Sequence, residues 1–189
     1  SLHQGGVINT PLPKPMHMGK KIWFLTGNLG KVKEAEQHLH KLGYEVEQLI
    51  IDEDISEPQS DDLYSVAQAK ITQALPHLPN KEDMLLVEDA GLFIEHLNGF
   101  PGVYSAYVLK TIGCNGILKL LSHLESQDPV MNGQLRGAEF QAVAALWNGQ
   151  EIIFGKGKCP GWISQEINGE DGFGFDPIFG PFDLDGLGN

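Results

Sequence analysis

Apolar positions along this chain follow two rhythms, short continuous runs and runs spaced three and four apart. Lys21-Ile22-Trp23-Phe24-Leu25-Thr26 reads as a buried strand that enters a Gly-Asn-Leu-Gly turn at residues 27–30. A helix is predicted from Lys31 to Leu42, because Val32, Ala35, Leu39 and Leu42 line one face, and Gly43 supplies its stop. Tyr44 to Ile51 reads as the next strand, followed by an acidic, proline-containing loop from Asp52 to Asp62. Leu63 to Leu75 is predicted as a second helix closed by Pro76 and Pro79. Met84-Leu85-Leu86-Val87 then reads as a strand that stops at Glu88 and Asp89, with turns at Ala90-Gly91 and Asn98–Gly102.

Further along, Asn115 is the expected N-cap of a helix reaching Leu124, which carries Ile117, Leu118, Leu120, Leu121 and Leu124. Ala138 to Trp147 and Glu151 to Phe154 read as strands joined at Asn148-Gly149, a strong hairpin signal. Gly169 to Gly180 is rich in glycine and aromatics. Two strand–helix repeats, a third strand and a hairpin predict an α/β protein with a mixed sheet flanked by helices.

A chain of 189 residues with 41% hydrophobic and 20% charged residues suits one buried domain. That domain is expected over residues 20–189. Residues 1–19 lack the apolar core of a signal peptide, so they are expected to be a flexible leader or an added segment, with Met18 as the native start. The 25 acidic against 13 basic residues give a net charge of −12. Such a chain argues against a sequence-independent nucleic-acid binder, which needs cations over phosphates. A small polyanion is still within reach where a few lysines converge and a divalent cation adds charge. Two cysteines, Cys114 and Cys159, fit inert thiols in a reducing compartment, and His38 and His40 face apart, which argues against zinc. No run reaches membrane-spanning length. Cytoplasmic location without membrane or nucleic-acid partners is the expectation.

Four segments carry candidate chemistry. In Thr26-Gly27-Asn28-Leu29-Gly30-Lys31, a strand-to-helix turn offers backbone N–H groups and a point charge to an anion, although ordinary capping would explain the turn equally well. Lys70 shares a helix face with Ala67 and Ala74, from which it could cross a cleft or snorkel to water. Glu57 in the acidic loop could complete a Mg²⁺ site with Glu88 or Asp89, since Mg²⁺ uses one or two carboxylates plus substrate phosphates. The aromatics of Gly172–Phe179 could stack on a flat base, with Asp176 accepting ring N–H groups, or simply pack in the core. Lys156 and Lys158 read as a solvated face.

Taken in order, TGNLGK (26–31), SEPQ (56–59), VEDAGLF (87–93), GFPGVYSAY (99–107), TIGCNGILKLL (111–121) and GFGFDPIF (172–179) resemble the inosine triphosphate pyrophosphatase family, also called Ham1-like proteins. The longer segments look most like archaeal members. The resemblance implies an elongated mixed-sheet α/β fold with two lobes around a central cleft, usually as a homodimer. It implies Mg²⁺-dependent hydrolysis of non-standard purine nucleoside triphosphates (ITP, dITP, XTP) to the monophosphate and pyrophosphate. By that pattern Thr26, Asn28, Lys31 and Lys70 hold phosphates, and Glu57 and Asp89 serve the metal. Asp89 or Glu88 activates water, Phe173 stacks on the base, and Phe175 and Asp176 shape its pocket. Family members continue with an acidic helix, a lysine and a Ser-His-Arg motif that reads the base, whereas this sequence runs Pro181 to Asn189 without them. The expectation is therefore that Mg²⁺–triphosphate binding outlasts base discrimination. The alternative is a catalytically impaired nucleotide-binding or dimerising remnant.

Overall fold

The computed structural model describes residues 21–60, 62–169, 172 and 174–182. The leader expected at 1–19 and the segment after Phe182 lie outside the described residues, as does Phe173. Six strands form one mixed sheet in the order β2-β1-β3-β4-β5-β6. β1 (Lys21–Leu25) pairs in parallel with β2 (Glu45–Leu49) on one side and β3 (Met84–Ile94) on the other. β4 (Gly137–Trp147), β5 (Ile152–Ile163) and β6 (Phe179–Pro181) follow in antiparallel pairs.

The first two crossovers explain how the site is held. From β1 the chain passes through α1 (Leu29–Leu39) to β2, then through α2 (Leu63–Ala74) back over β1 to β3. Right-handed crossovers in opposite directions put their helices on opposite faces of the sheet. The packing agrees. Val32 of α1 joins Ile22, Phe24, Val46 and Met84 in one cluster. Leu63, Ala67 and Ile71 of α2 join Leu85, Val87, Val143 and Ala145 in another. The C-terminal end of β1, between strands reached in opposite directions, is the switch point at which open α/β sheets bind ligands.

Three further α-helices lie among the described residues, α3 (Ser105–Thr111), α4 (Gly113–Leu120) and α5 (Pro129–Leu135). Val108 of α3 and Ile117 of α4 pack with Leu92, Ile94, Ile163, Phe175 and Ile178 in a third cluster. Met84, Leu92 and Ile94 share one face of β3 by alternation. The first and third clusters therefore occupy the same side of the sheet, and Glu88 and Ala90 lie between them. Small residues, Ala142, Ala144, Gly155 and Gly157, continue that open stretch across β4 and β5.

Most predicted elements are present, with instructive differences. Gly43 stops the first helical segment at φ 89°, and Asn148 Oδ1 accepts from the N–H groups of Gln150 and Glu151 in the hairpin. β3 does not stop at Glu88. Its parallel ladder ends at Leu25–Val87, but antiparallel pairing with β4 carries it from Glu88–Ala144 to Ile94–Ala138. Likewise β5 continues through Gly155 and Gly157, because β4 offers a partner along its whole length. Asn115 is no N-cap: α4 starts two residues earlier at Gly113, directly after α3. The aromatic, glycine-rich segment forms a 3₁₀ turn, Asp176–Ile178, and then β6.

Candidate active site

The turn after β1 is held from both sides. Gln48 Nε2 on β2 donates to the Thr26 carbonyl at 2.7 Å. The Asn28 N–H donates to Thr26 Oγ1 at 3.1 Å, and Asn28 Oδ1 accepts from the Gly30 N–H at 2.9 Å. Asn28 is thus the N-cap of α1, and its carbonyl accepts from the Lys31 and Val32 N–H groups. Lys31 sits in that first turn, and its Nζ lies 2.7 Å from Glu88 Oε1.

On the opposite face, Lys70 of α2 is 18% exposed at its side chain and meets three partners. It donates to the Glu88 carbonyl at 3.1 Å, and its Nζ lies 3.5 Å from Glu57 Oε1 and 3.8 Å from Asp89 Oδ1. The loop bearing Glu57 is pinned to the same helix. Gln73 donates to the Ser56 carbonyl and accepts from the Ser56 N–H. Gln73 is a supporting residue that sequence reasoning missed, though its place three residues after Lys70 on one helix face was a usable signal.

Asp89 is the most unusual group. Its side chain is 12% exposed, and Oδ2 is buried without a hydrogen-bond partner among the described residues. Burial pushes its pKa up to about 6; Lys70 and Lys31 oppose the rise, while Glu57 and Glu88 add to it. A cleft of about 370 Å³ lined by Thr26, Gly27, Glu53, Asp54, Glu57 and Lys70 opens beside it. A neighbouring hollow of about 530 Å³ runs along Thr26 to Lys31. Glu53 and Asp54 are lining residues that sequence reasoning did not single out from their acidic loop.

Thr26, Asn28, Lys31, Glu57, Lys70, Glu88 and Asp89 are thus brought together. The aromatic segment stands apart from them. Phe175 is 4% exposed in the third cluster, so its ring supports the segment from beneath and offers no open face. Asp176 is exposed at the start of the 3₁₀ turn, and no ion pair or hydrogen bond among the described residues joins it to Asp89 or the lysines.

No group of three His, Cys, Asp or Glu among the described residues makes a ready metal centre. Two carboxylates, Glu57 and Asp89, nevertheless flank one lysine, and the orphaned Asp89 Oδ2 lacks a positive partner. That donor set suits Mg²⁺, which keeps waters and takes further ligands from substrate phosphates.

Cations and carboxylates thus meet at the switch point of a mixed α/β sheet, where such sheets bind their ligands. The sequence profile of the Ham1 family matches residues 22–186, and the chain belongs to that family. It is 45% identical over 163 residues to a dITP/XTP pyrophosphatase of Methanopyrus kandleri, covering 85% of this chain and 79% of that one. Identity to the dITP/XTP pyrophosphatase of Thermococcus kodakarensis is 43% over 166 residues, covering 87% and 82%. The structure of the Staphylococcus aureus Ham1 protein superposes with a TM-score of 0.67 at 30% identity, covering 89% of this chain and 84% of that one.

Proposed function

We propose that this protein hydrolyses non-standard purine nucleoside triphosphates, dITP, ITP and XTP, to the monophosphate and pyrophosphate with Mg²⁺. It is a hydrolase of acid anhydrides, as its relatives named dITP/XTP pyrophosphatase support. The observation that carries the reading is Asp89, whose side chain is 12% exposed and whose buried Oδ2 has no hydrogen-bond partner among the described residues, beside Lys70 and a second carboxylate, Glu57, at the switch point.

In this reading the first turn of α1, with Thr26, Asn28 and Lys31, takes the phosphate chain from one face, and Lys70 takes it from the other. Glu57 and Asp89 would hold Mg²⁺, which when bound offsets charge on the leaving pyrophosphate. Water attacks the α-phosphorus and the bond to the α–β bridging oxygen breaks. Pyrophosphate departs with that electron pair, and Asp89 receives the proton from water. In the metal-free fold burial raises the Asp89 pKa to about 6, so the carboxylate is ionised at neutral pH and available as an acceptor. Phe173 and Asp176 are proposed to contact the purine, with Phe175 shaping the segment from below.

A single domain over residues 20–189 is part of the same reading, supported by the span of the family match. Homodimerisation is supported by the exposed rings of Phe100, Tyr104 and Tyr107 beside Ile112. Free Cys114 and Cys159 support a cytoplasmic setting, and no helix among the described residues is long and apolar enough to cross a membrane.

The test is incubation with dITP, ITP, XTP, GTP and ATP in the presence of Mg²⁺, with pyrophosphate and orthophosphate measured separately. Pyrophosphate release from the 6-oxo purines, abolished in Asp89→Asn, is expected. Orthophosphate release would overturn the reaction type, and nucleotide binding without turnover would favour an impaired remnant.

A further inference from the structure

We infer that Glu88 is a positioning residue that sets the spacing of the two phosphate-facing lysines, and is not the group that takes the proton from water. The inference rests on the reading that Lys31 and Lys70 hold phosphates. One residue touches both ammonium groups, by two different parts of its structure. Its side-chain Oε1 lies 2.7 Å from Lys31 Nζ on the α1 face, and its main-chain oxygen accepts from Lys70 Nζ at 3.1 Å. The strand that carries it is fixed on one side by β4, where Glu88 pairs with Ala144. Lys31 and Lys70 come from helices on opposite faces, so no direct contact between those helices is needed to set the distance between the two cations.

The same geometry argues against Glu88 as a base. Its side chain points away from Asp89 and Glu57, which share the other face with Lys70. Its Oε1 is already occupied by an ammonium donor. Lys31 has three N–H donors, so one bond to Glu88 leaves two for phosphate oxygens. That bond also holds a long, half-exposed side chain in one rotamer, and this restraint lowers the entropy cost of binding.

The test uses Glu88→Gln, Glu88→Ala, Lys31→Ala and the Lys31→Ala/Glu88→Ala double variant. Calorimetric titration with inorganic tripolyphosphate and Mg²⁺ is run beside kcat and KM for dITP. Glu88→Ala is expected to weaken tripolyphosphate binding and raise KM by about tenfold, and Glu88→Gln by about threefold, because the amide keeps an acceptor but loses the charge. In both, kcat falls less than KM rises. In the Lys31→Ala background, adding Glu88→Ala costs no further affinity, a coupling that a general loss of stability would not produce.

A collapse of kcat at unaltered KM in Glu88→Gln would make Glu88 the base and overturn the inference. Tighter tripolyphosphate binding by Glu88→Ala would also overturn it, showing a counter-ion that phosphate must displace. So would additive losses in the double variant, or a wild type that does not bind tripolyphosphate. Wild-type binding of tripolyphosphate without pyrophosphate release from dITP would instead refute the pyrophosphatase reading and leave the spacing role standing.

Discussion

Glu88 and Asp89 are consecutive residues whose carboxylates serve opposite faces of one strand: Glu88 lies 2.7 Å from Lys31 of α1, and Asp89 lies 3.8 Å from Lys70 of α2. The separation follows from β3 continuing through both residues, since successive side chains in a strand alternate. Two adjacent acids are therefore not interchangeable. One faces a cation at a helix start, and the other is buried with a second carboxylate nearby.

Metal-free protein should reveal the burial of Asp89 as a pH-dependent stability. Its pKa of about 6 in the fold lies above that of an unfolded aspartate, so the native state binds the proton more tightly. Asp89 therefore lowers stability as pH rises from about 4 through about 6. Asp89→Asn removes that loss. Thermal melts with chelator present should show it more stable than wild type by about 2–3 kcal/mol at pH 8, with the gap closing near pH 4. Equal melting curves across that range would contradict the buried state of this carboxylate.

Lys70 restrains the rise in the Asp89 pKa more than any other group. Lys70→Met should move the acidic limb of the kcat/KM profile to higher pH, because Asp89 then keeps only its acidic neighbours and the more distant Lys31. Affinity for triphosphate should fall by at least about tenfold as a charged contact is lost. An unshifted acidic limb would mean that another group controls it.

Arg136 is 2% exposed, and every partner of its guanidinium among the described residues is a carbonyl. It donates to Leu121 and Leu124 at the end of α4, and to Ile163 and Ser164 at the end of β5. Ser164 in turn donates its N–H to the Ile178 carbonyl beside the aromatic turn. Arg136→Met strands four carbonyl acceptors, two in buried bonds and two in part-buried ones, and should cost about 3–5 kcal/mol in chemical denaturation. Arg136→Lys, which keeps the charge without the planar fork, should recover only part of it.

Two glycines should respond oppositely to alanine. A Cβ on Gly91 would fall on the backbone carbonyl of Gly102, two residues from Asp89 along β3, where neither backbone has room to move. Gly91→Ala should cost about 2 kcal/mol or more and lower activity with it. Gly133, inside α5, has open space around a built Cβ. Gly133→Ala should raise stability by about 0.5–1 kcal/mol through helix propensity alone. Matched urea titrations of the two variants check both.

How far the sequence reaches can be read from particular elements. The 3.6-residue period predicted α1 and α2 within a few residues, and Gly43 and Asn148-Gly149 marked turns that are present as expected. The candidate residues on the acidic strand, the first turn and Lys70 do converge, because each was tied to an element whose place in a β-α-β-α-β order is constrained. Asn115 misled because a cap-forming side chain is equally at home inside a helix that starts earlier. The ends of β3 and β5 were not legible, since they depend on β4 lying alongside, and a partner strand leaves no mark on the local period.

By itself, then, the sequence determined the order and type of the main elements and pointed to Thr26, Lys70 and Asp89 as candidates that the fold brings together. Local conformational preference acts along the chain and is written in residue spacing. Only the tertiary structure decided that β3 runs on past its two acids and that they part to opposite faces. It likewise decided that Asp89 Oδ2 is buried with no hydrogen-bond partner among the described residues and that Glu88 touches both lysines. These properties depend on which helix covers which face and where one ladder ends and another continues, and residues distant in the chain set both.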